Sequence, residues 1–231
     1  MIDPAVIQGI IRILLVCVII TAAYIISTRN LLSLVSMYSA QSITLVCLAL
    51  ALYALELAPV LLAIALVTFI SKALIIPYFI ATIQEKIRIK RDIEFHFLSP
   101  TSSLVLSMAL MLVVYMAFTR ILPVTPVREN LFFFGAVIGI SLMLMGMMVM
   151  LSRKRAITKV LGFLTMENGV LLFGMFVTEL PFIIEFLIII DLIILVLLTT
   201  ILTVGIDSTL EDYHKRLHRF HLVEETEEGA P

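Results

Sequence analysis

Apolar runs of about 20 residues or more recur along this chain, and no other feature narrows its fold so far. A helix of that length crosses the hydrocarbon core of a bilayer, and in lipid every backbone N–H and C=O must be satisfied within the protein. The 231 residues divide at visible punctuation into about seven such stretches. The first, 4–27, has Asp3 as its N-cap and Pro4 at the first helical position. It lacks a preceding basic segment and is long enough to span, so it reads as a helix and not as a cleaved signal. The second and third, 31–55 and 59–82, are separated by a tight turn from Glu56 to Pro59, and a polar segment, 84–96, closes this group. The fourth, 100–121, ends before Pro123 and Pro126, which cannot both continue a helix. The fifth and sixth, 131–151 and 157–178, flank a basic turn containing Arg153, Lys154, Arg155 and Lys159. Pro181 opens the seventh, which ends near Gly205.

Composition agrees, at 61% hydrophobic and 14% charged, far from the balance of soluble domains. The expected fold class is therefore all-α, a polytopic protein of about seven transmembrane helices in the cell membrane. Its expected units are a three-helix unit at 1–98, a fourth helix and outer loop at 99–129, a second three-helix unit at 130–206, and a polar tail at 207–231. Lysine and arginine beside helix ends resist translocation. One set of alternate loops holds Arg29, then Lys86, Arg88, Lys90 and Arg91, then the basic turn, then Lys215, Arg216 and Arg219; the other holds Arg12, Arg120 and Arg128. That contrast places the N-terminus outside and the C-terminus in the cytoplasm.

Several functions are disfavoured by the residues present. A net charge of −1 gives no basic field for nucleic acid. Cys17 and Cys47 fall in separate apolar runs without ligand spacing, so thiols of this chain alone cannot build an iron–sulfur, nickel or zinc site. No Ser/His/Asp arrangement, phosphate loop or metal cluster supports an autonomous enzyme. His214, His218 and His221 would share one face of a helical tail, but interleaved basic residues favour a solvated or membrane-surface helix over a metal site. Met143, Met145, Met147, Met148 and Met150 spread around one helix and read as lipid and core contacts.

The informative residues are charges in mid-span, where insertion costs about 2.5 to 3.5 kcal/mol and a role or a partner is needed. Lys72 lies in the third stretch, Glu167 in the sixth, Asp191 near the centre of the seventh, and Glu185 nearer that helix's outer end. One reading makes them a proton or ion pathway through the membrane, with Gln41 and Asn168 as polar support. The other makes them structural pairs, Lys72 with Glu167 or Asp191, that fix helix packing. Gly135 and Gly139 form a GxxxG that reads as close packing. Arg29 to Gln41 and Arg155 to Glu167 echo each other, each running from a basic residue to a mid-helix polar one twelve positions on.

The runs Arg29-Asn30-Leu31-Leu32-Ser33 through Gln41-Ser42, Phe69-Ile70-Ser71-Lys72-Ala73-Leu74-Ile75-Ile76-Pro77, and Gly162-Phe163-Leu164-Thr165-Met166-Glu167-Asn168-Gly169 resemble the hydrogenase-4 component E family. These are membrane subunits of group 4 nickel–iron hydrogenases and formate hydrogenlyase complexes. The last three stretches are also similar to the K subunit of respiratory complex I and the C subunit of multi-subunit sodium/proton antiporters. Aligned on the Asn-Gly-Val run, the antiporter counterpart's acidic position falls on Leu164, and Glu167 is three residues later, one turn along roughly the same face. The resemblance implies a non-catalytic, ion-coupling subunit beside antiporter-like membrane partners and a soluble hydrogenase arm. The nickel–iron centre and iron–sulfur clusters would belong to partner subunits, with no cofactor in this chain. A sodium/proton antiporter subunit without redox partner, and a purely structural scaffold, are the alternative expectations.

Overall fold

The computed structural model describes residues 3–28, 30–87, 99–121, 127–153 and 156–177, together with positions 189–191, 193–194, 196–197 and 200 of the last apolar stretch. Glu185, Arg29, Lys154, Arg155, Pro123 and Pro126, the segment 88–98, and the tail with His214, His218 and His221 lie outside the described residues. The described chain is almost wholly helical: α1 (Pro4–Ser27), α2 (Leu31–Glu56), α3 (Pro59–Thr68), a π-helical segment (Phe69–Ile75), α4 (Ile76–Ile87), α5 (Pro100–Ile121), α6 (Val127–Ser152) and α7 (Ala156–Val177). Positions from 189 to 200 are helical where described. Six helices are long and apolar enough to cross a membrane, with the third running from Pro59 to Thr82 through the π segment. This is the architecture of a multi-pass membrane protein.

Local chemistry sets the helix ends. The Asp3 carboxylate accepts from the Ala5 N–H at 3.0 Å, with Pro4 behind it, so one orphan donor of the first turn is capped and another is absent. Asn30 caps α2 in the same way, accepting from the Leu32 N–H at 3.2 Å. At the far end of α2, Leu57 takes φ 54°, the left-handed position usually given to glycine, and its N–H closes on the Tyr53 carbonyl at 2.8 Å. Pro59 then starts α3. The fifth expected stretch begins earlier than its apolar run, with α6 starting at Val127, and the third extends to Ile87, into the segment expected to be polar loop. Helical hydrogen bonding continues into polar residues once an apolar span has nucleated the helix.

In the bundle, α1 packs on α2, α2 meets both the π segment and α7, and α5 lies at the edge against α6 and α1. Ile11, Leu15, Val18, Leu45, Leu48, Leu142, Leu164 and Leu171 form part of the wholly shielded interior. Outward faces carry Ile13, Ile20, Leu66, Val105, Met108 and Leu112, all exposed. Apolar groups inside and out suit a lipid solvent.

The closest contact is the antiparallel pair α6 and α7, and glycine makes it possible. A Cβ placed on Gly139 would lie 2.6 Å from the Phe173 backbone nitrogen, and one on Gly146 would lie 2.3 Å from that of Met166. From the opposite helix, a Cβ on Gly169 would meet the Met143 nitrogen at 2.5 Å, and one on Gly162 the Met150 nitrogen at 2.7 Å. Gly139 and Gly146 are thus one heptad apart on α6, facing Gly169 and Gly162 one heptad apart on α7, a spacing that keeps two helices in register along a shallow crossing. Gly135 extends the contact against the Phe176 ring.

A second fixing point lies at the α6–α7 turn. Arg153 is buried, and its Nη2 donates to the Ile26 carbonyl at 3.1 Å and to the Thr28 carbonyl at 2.7 Å. The cation thereby caps carbonyls at the C-terminal end of α1, where the helix macrodipole is negative.

Candidate functional site

Lys72, Glu167 and Asp191 converge in the interior of the bundle. Lys72 Nζ lies 2.9 Å from Glu167 Oε1 and 4.0 Å from Asp191 Oδ1, and the Lys72 and Glu167 side chains are 0% and 2% exposed. Lys72 is about 20 Å along its helical span from Pro59 and Glu167 about 17 Å from the start of α7, so both sit at mid-span. The three residues come from three helical segments remote in sequence.

The π segment positions Lys72 and its neighbour together. Within it the Ile76 N–H reaches the Ser71 carbonyl, five residues back, and such inserted turns widen the helix locally. Pro77 has no N–H to offer the Ala73 carbonyl; the Ser39 hydroxyl of α2 donates to that carbonyl instead, at 3.1 Å. Consecutive side chains then serve one cluster: Lys72 contacts Glu167, while the Ser71 hydroxyl donates to Asp191 Oδ2. Ser71 also lies within reach of the Val67 carbonyl at 2.9 Å.

A chain of amides and hydroxyls leads away from the charges. Lys72 Nζ donates to Asn168 Oδ1 at 3.5 Å, Asn168 Nδ2 donates to Gln41 Oε1 at 3.2 Å, and Gln41 Nε2 donates to the Thr21 hydroxyl at 3.4 Å. Asn168 Nδ2 also lies 3.5 Å from the Ser42 hydroxyl. The cluster therefore opens through α7 and α2 into a polar file ending on α1. The two sequence stretches that echo each other meet here, Gln41-Ser42 from one and Glu167-Asn168 from the other. Leu164 is fully shielded apolar packing, and the carboxylate one turn on is the group that reaches the lysine.

Of the expected site residues, Lys72, Glu167, Asp191, Gln41 and Asn168 are brought together; Glu185 lies outside the described residues. Ser71 and Tyr38 also belong to the site. Tyr38 is fully buried, interacts electrostatically with Glu167 and Asp191, and has no hydrogen-bond partner for its hydroxyl among the described residues. Its sequence signal was position: it lies three and four residues before Gln41 and Ser42, on the same helix face. Ser71 carried no signal beyond adjacency to Lys72.

Charge and geometry define what the cluster can do. Two acids and one base carry one net negative charge when all are ionised, and one added proton makes the group neutral. In a water-poor interior that difference is large, so loading and unloading a single proton switches the cluster between two electrostatic states. Among the described residues no group of three or more His, Cys, Asp or Glu could hold a metal ion, and Cys17 and Cys47 are separate free thiols; these residues do not fit a nickel–iron or iron–sulfur ligand set. Comparison with protein-family models, with curated proteins and with solved structures returns no match to this chain.

Proposed function

We propose that the chain is a non-catalytic, multi-pass subunit of a hydrogenase-type respiratory complex in the cell membrane, and that it contributes to proton or ion translocation. In this reading it has seven spans, with the N-terminus outside and the C-terminus cytoplasmic. Its partners are antiporter-like membrane subunits and a soluble arm that holds the nickel–iron centre and iron–sulfur clusters. The family resemblance of the Ser71-Lys72 and Glu167-Asn168 stretches supports the choice of complex.

The observation that carries the ion-relay part is Lys72, wholly buried between two carboxylates at 2.9 and 4.0 Å. Burial of three ionisable groups is costly wherever apolar side chains would pack instead. A relay gives that cost a use. Electron transfer in the soluble arm would alter the field at the cluster, shifting Lys72 between its two acids and so alternately favouring proton uptake and release. Gln41, Asn168 and Thr21 extend the polar route toward α1.

The test uses the assembled complex in inside-out membrane vesicles, with ion uptake and dye-linked hydrogen oxidation measured in parallel. Glu167→Gln and Asp191→Asn are expected to abolish ion uptake and leave hydrogen oxidation largely intact. Unchanged uptake in both variants rejects the reading.

A further inference from the structure

Buried oxygens without partners are rare, because each forfeits its hydrogen bonds to water on folding. Here several belong to the residues of the charged cluster. The Tyr38 hydroxyl, both Glu167 oxygens and Asp191 Oδ1 are buried without a hydrogen-bond partner among the described residues, although Glu167 Oε1 keeps its ion contact to Lys72. Thr68, one helical turn before Lys72, adds another such oxygen. Ser42 lies beside the Tyr38 hydroxyl, yet outside hydrogen-bond geometry, and its own proton is directed at the Tyr38 carbonyl at 3.0 Å.

From these observations we infer that Tyr38 is a positioning residue of the relay, its hydroxyl holding a bound water molecule against the Glu167 and Asp191 carboxylates. The inference rests on the ion-relay reading and deepens it. A water with two to four polar partners is stable inside a protein, and the Tyr38 hydroxyl with the Glu167 and Asp191 carboxylates offers three. The phenol both donates and accepts: it donates to the water oxygen and leaves the water's protons free for whichever carboxylate is ionised.

The proton step balances without any further reactant. A proton leaves the protonated Glu167 carboxyl for the water oxygen as one of the water's own protons passes to the Asp191 carboxylate. One O–H bond breaks and one forms at each end, the water is regenerated, and one proton has moved. Lys72, in contact with both acids, stabilises whichever is left ionised.

Tyrosine packing alone predicts something different. A ring held only by its apolar surroundings loses nothing when an unpartnered hydroxyl is removed, and Tyr38→Phe would be neutral or stabilising. The test therefore compares Tyr38→Phe with Glu167→Gln in the assembled complex, in vesicles, reading proton uptake with a pH-sensitive dye beside hydrogen oxidation. Expected is a fall in uptake of about tenfold for Tyr38→Phe, less than the roughly hundredfold or more that follows loss of a proton-transfer group itself, because Tyr38 positions the water and carries no proton, at unchanged assembly and electron transfer. Wild-type uptake in Tyr38→Phe, with uptake lost in Glu167→Gln, overturns this inference and leaves the relay standing. Wild-type uptake in both overturns the relay itself. If Tyr38→Phe does not assemble, an experimental map of the native complex decides: ordered water within hydrogen-bond distance of the Tyr38 hydroxyl and Glu167 supports the inference, and continuous apolar packing there overturns it.

Discussion

Lys72→Met removes a buried cation and leaves its shape nearly unchanged, which isolates the electrostatics of the cluster. At an effective dielectric of about 20, an ammonium attracts a carboxylate oxygen by about 6 kcal/mol at 2.9 Å and about 4 kcal/mol at 4.0 Å. Most of this is offset by the desolvation of the three groups. The quantity that survives is the penalty for leaving a charge unpaired, about 3 to 5 kcal/mol when one partner of a buried pair is deleted. Glu167 bears most of it, being nearer the lysine and 2% exposed, whereas Asp191 is 10% exposed and accepts from Ser71. Lys72→Met is therefore expected to destabilise by about 3 kcal/mol or more. The double variant Lys72→Met/Glu167→Leu recovers most of that loss, giving a coupling of about 2 to 3 kcal/mol. Detergent-solubilised protein unfolded by added sodium dodecyl sulfate, for the wild type, both single variants and the double, supplies the cycle. A single variant within about 1 kcal/mol of wild type, or a double variant no better than the sum of the singles, refutes the argument. If the double variant assembles stably and still moves ions, the cluster is a packing device and the relay is lost.

Three further outcomes follow from geometry. Gly146→Val pushes a side chain against the Met166 backbone, where a Cβ would lie 2.3 Å from nitrogen; with backbone on the other side unable to rotate away, a loss at the upper end of about 1 to 3 kcal/mol is expected, and ion uptake falls because the neighbouring Glu167 shifts. Leu57→Gly relieves a left-handed backbone at φ 54°, and a gain in stability of about 0.5 to 1 kcal/mol is expected in the same detergent assay, since a non-glycine residue there costs about 1 to 2 kcal/mol, partly offset by glycine's greater unfolded freedom. Arg153→Met deletes the donors to the Ile26 and Thr28 carbonyls, and a loss of about 2 to 3 kcal/mol is expected, together with faster amide exchange at the C-terminal end of α1.

Six spans were legible because lipid imposes a length and a polarity on each helix, and the Asp3-Pro4 start and the Glu56-to-Pro59 turn were legible from local capping chemistry. Buried charge marked Lys72, Glu167 and Asp191 for the same reason: such groups are too costly to stand alone in hydrocarbon. What the sequence withheld was facing. These helices are apolar on nearly every side, so no polar stripe distinguishes the inward face from the outward one, and the convergence of three remote residues depends on how the helices pack. The π segment was invisible because an inserted turn changes hydrogen-bond partners and leaves hydropathy unchanged. Pro77 was a local clue, but its effect appears only with Ser39 supplied from α2. Arg153 read as a topological charge, and its role as a cap depends on α1 ending beside it. Likewise the GxxxG at Gly135 and Gly139 was visible, whereas the heptad pairs Gly139–Gly146 and Gly162–Gly169 gain meaning only when the two helices are laid antiparallel.

The central claim, that Glu167 and Asp191 exchange a proton while the complex works, is tested most directly by infrared difference spectroscopy of the native complex during turnover. The account predicts that the C=O stretch of a protonated carboxylic acid rises and falls with electron flow, and that this band is lost in both Glu167→Gln and Asp191→Asn. Full ion uptake with no change in any carboxylic acid band would contradict it.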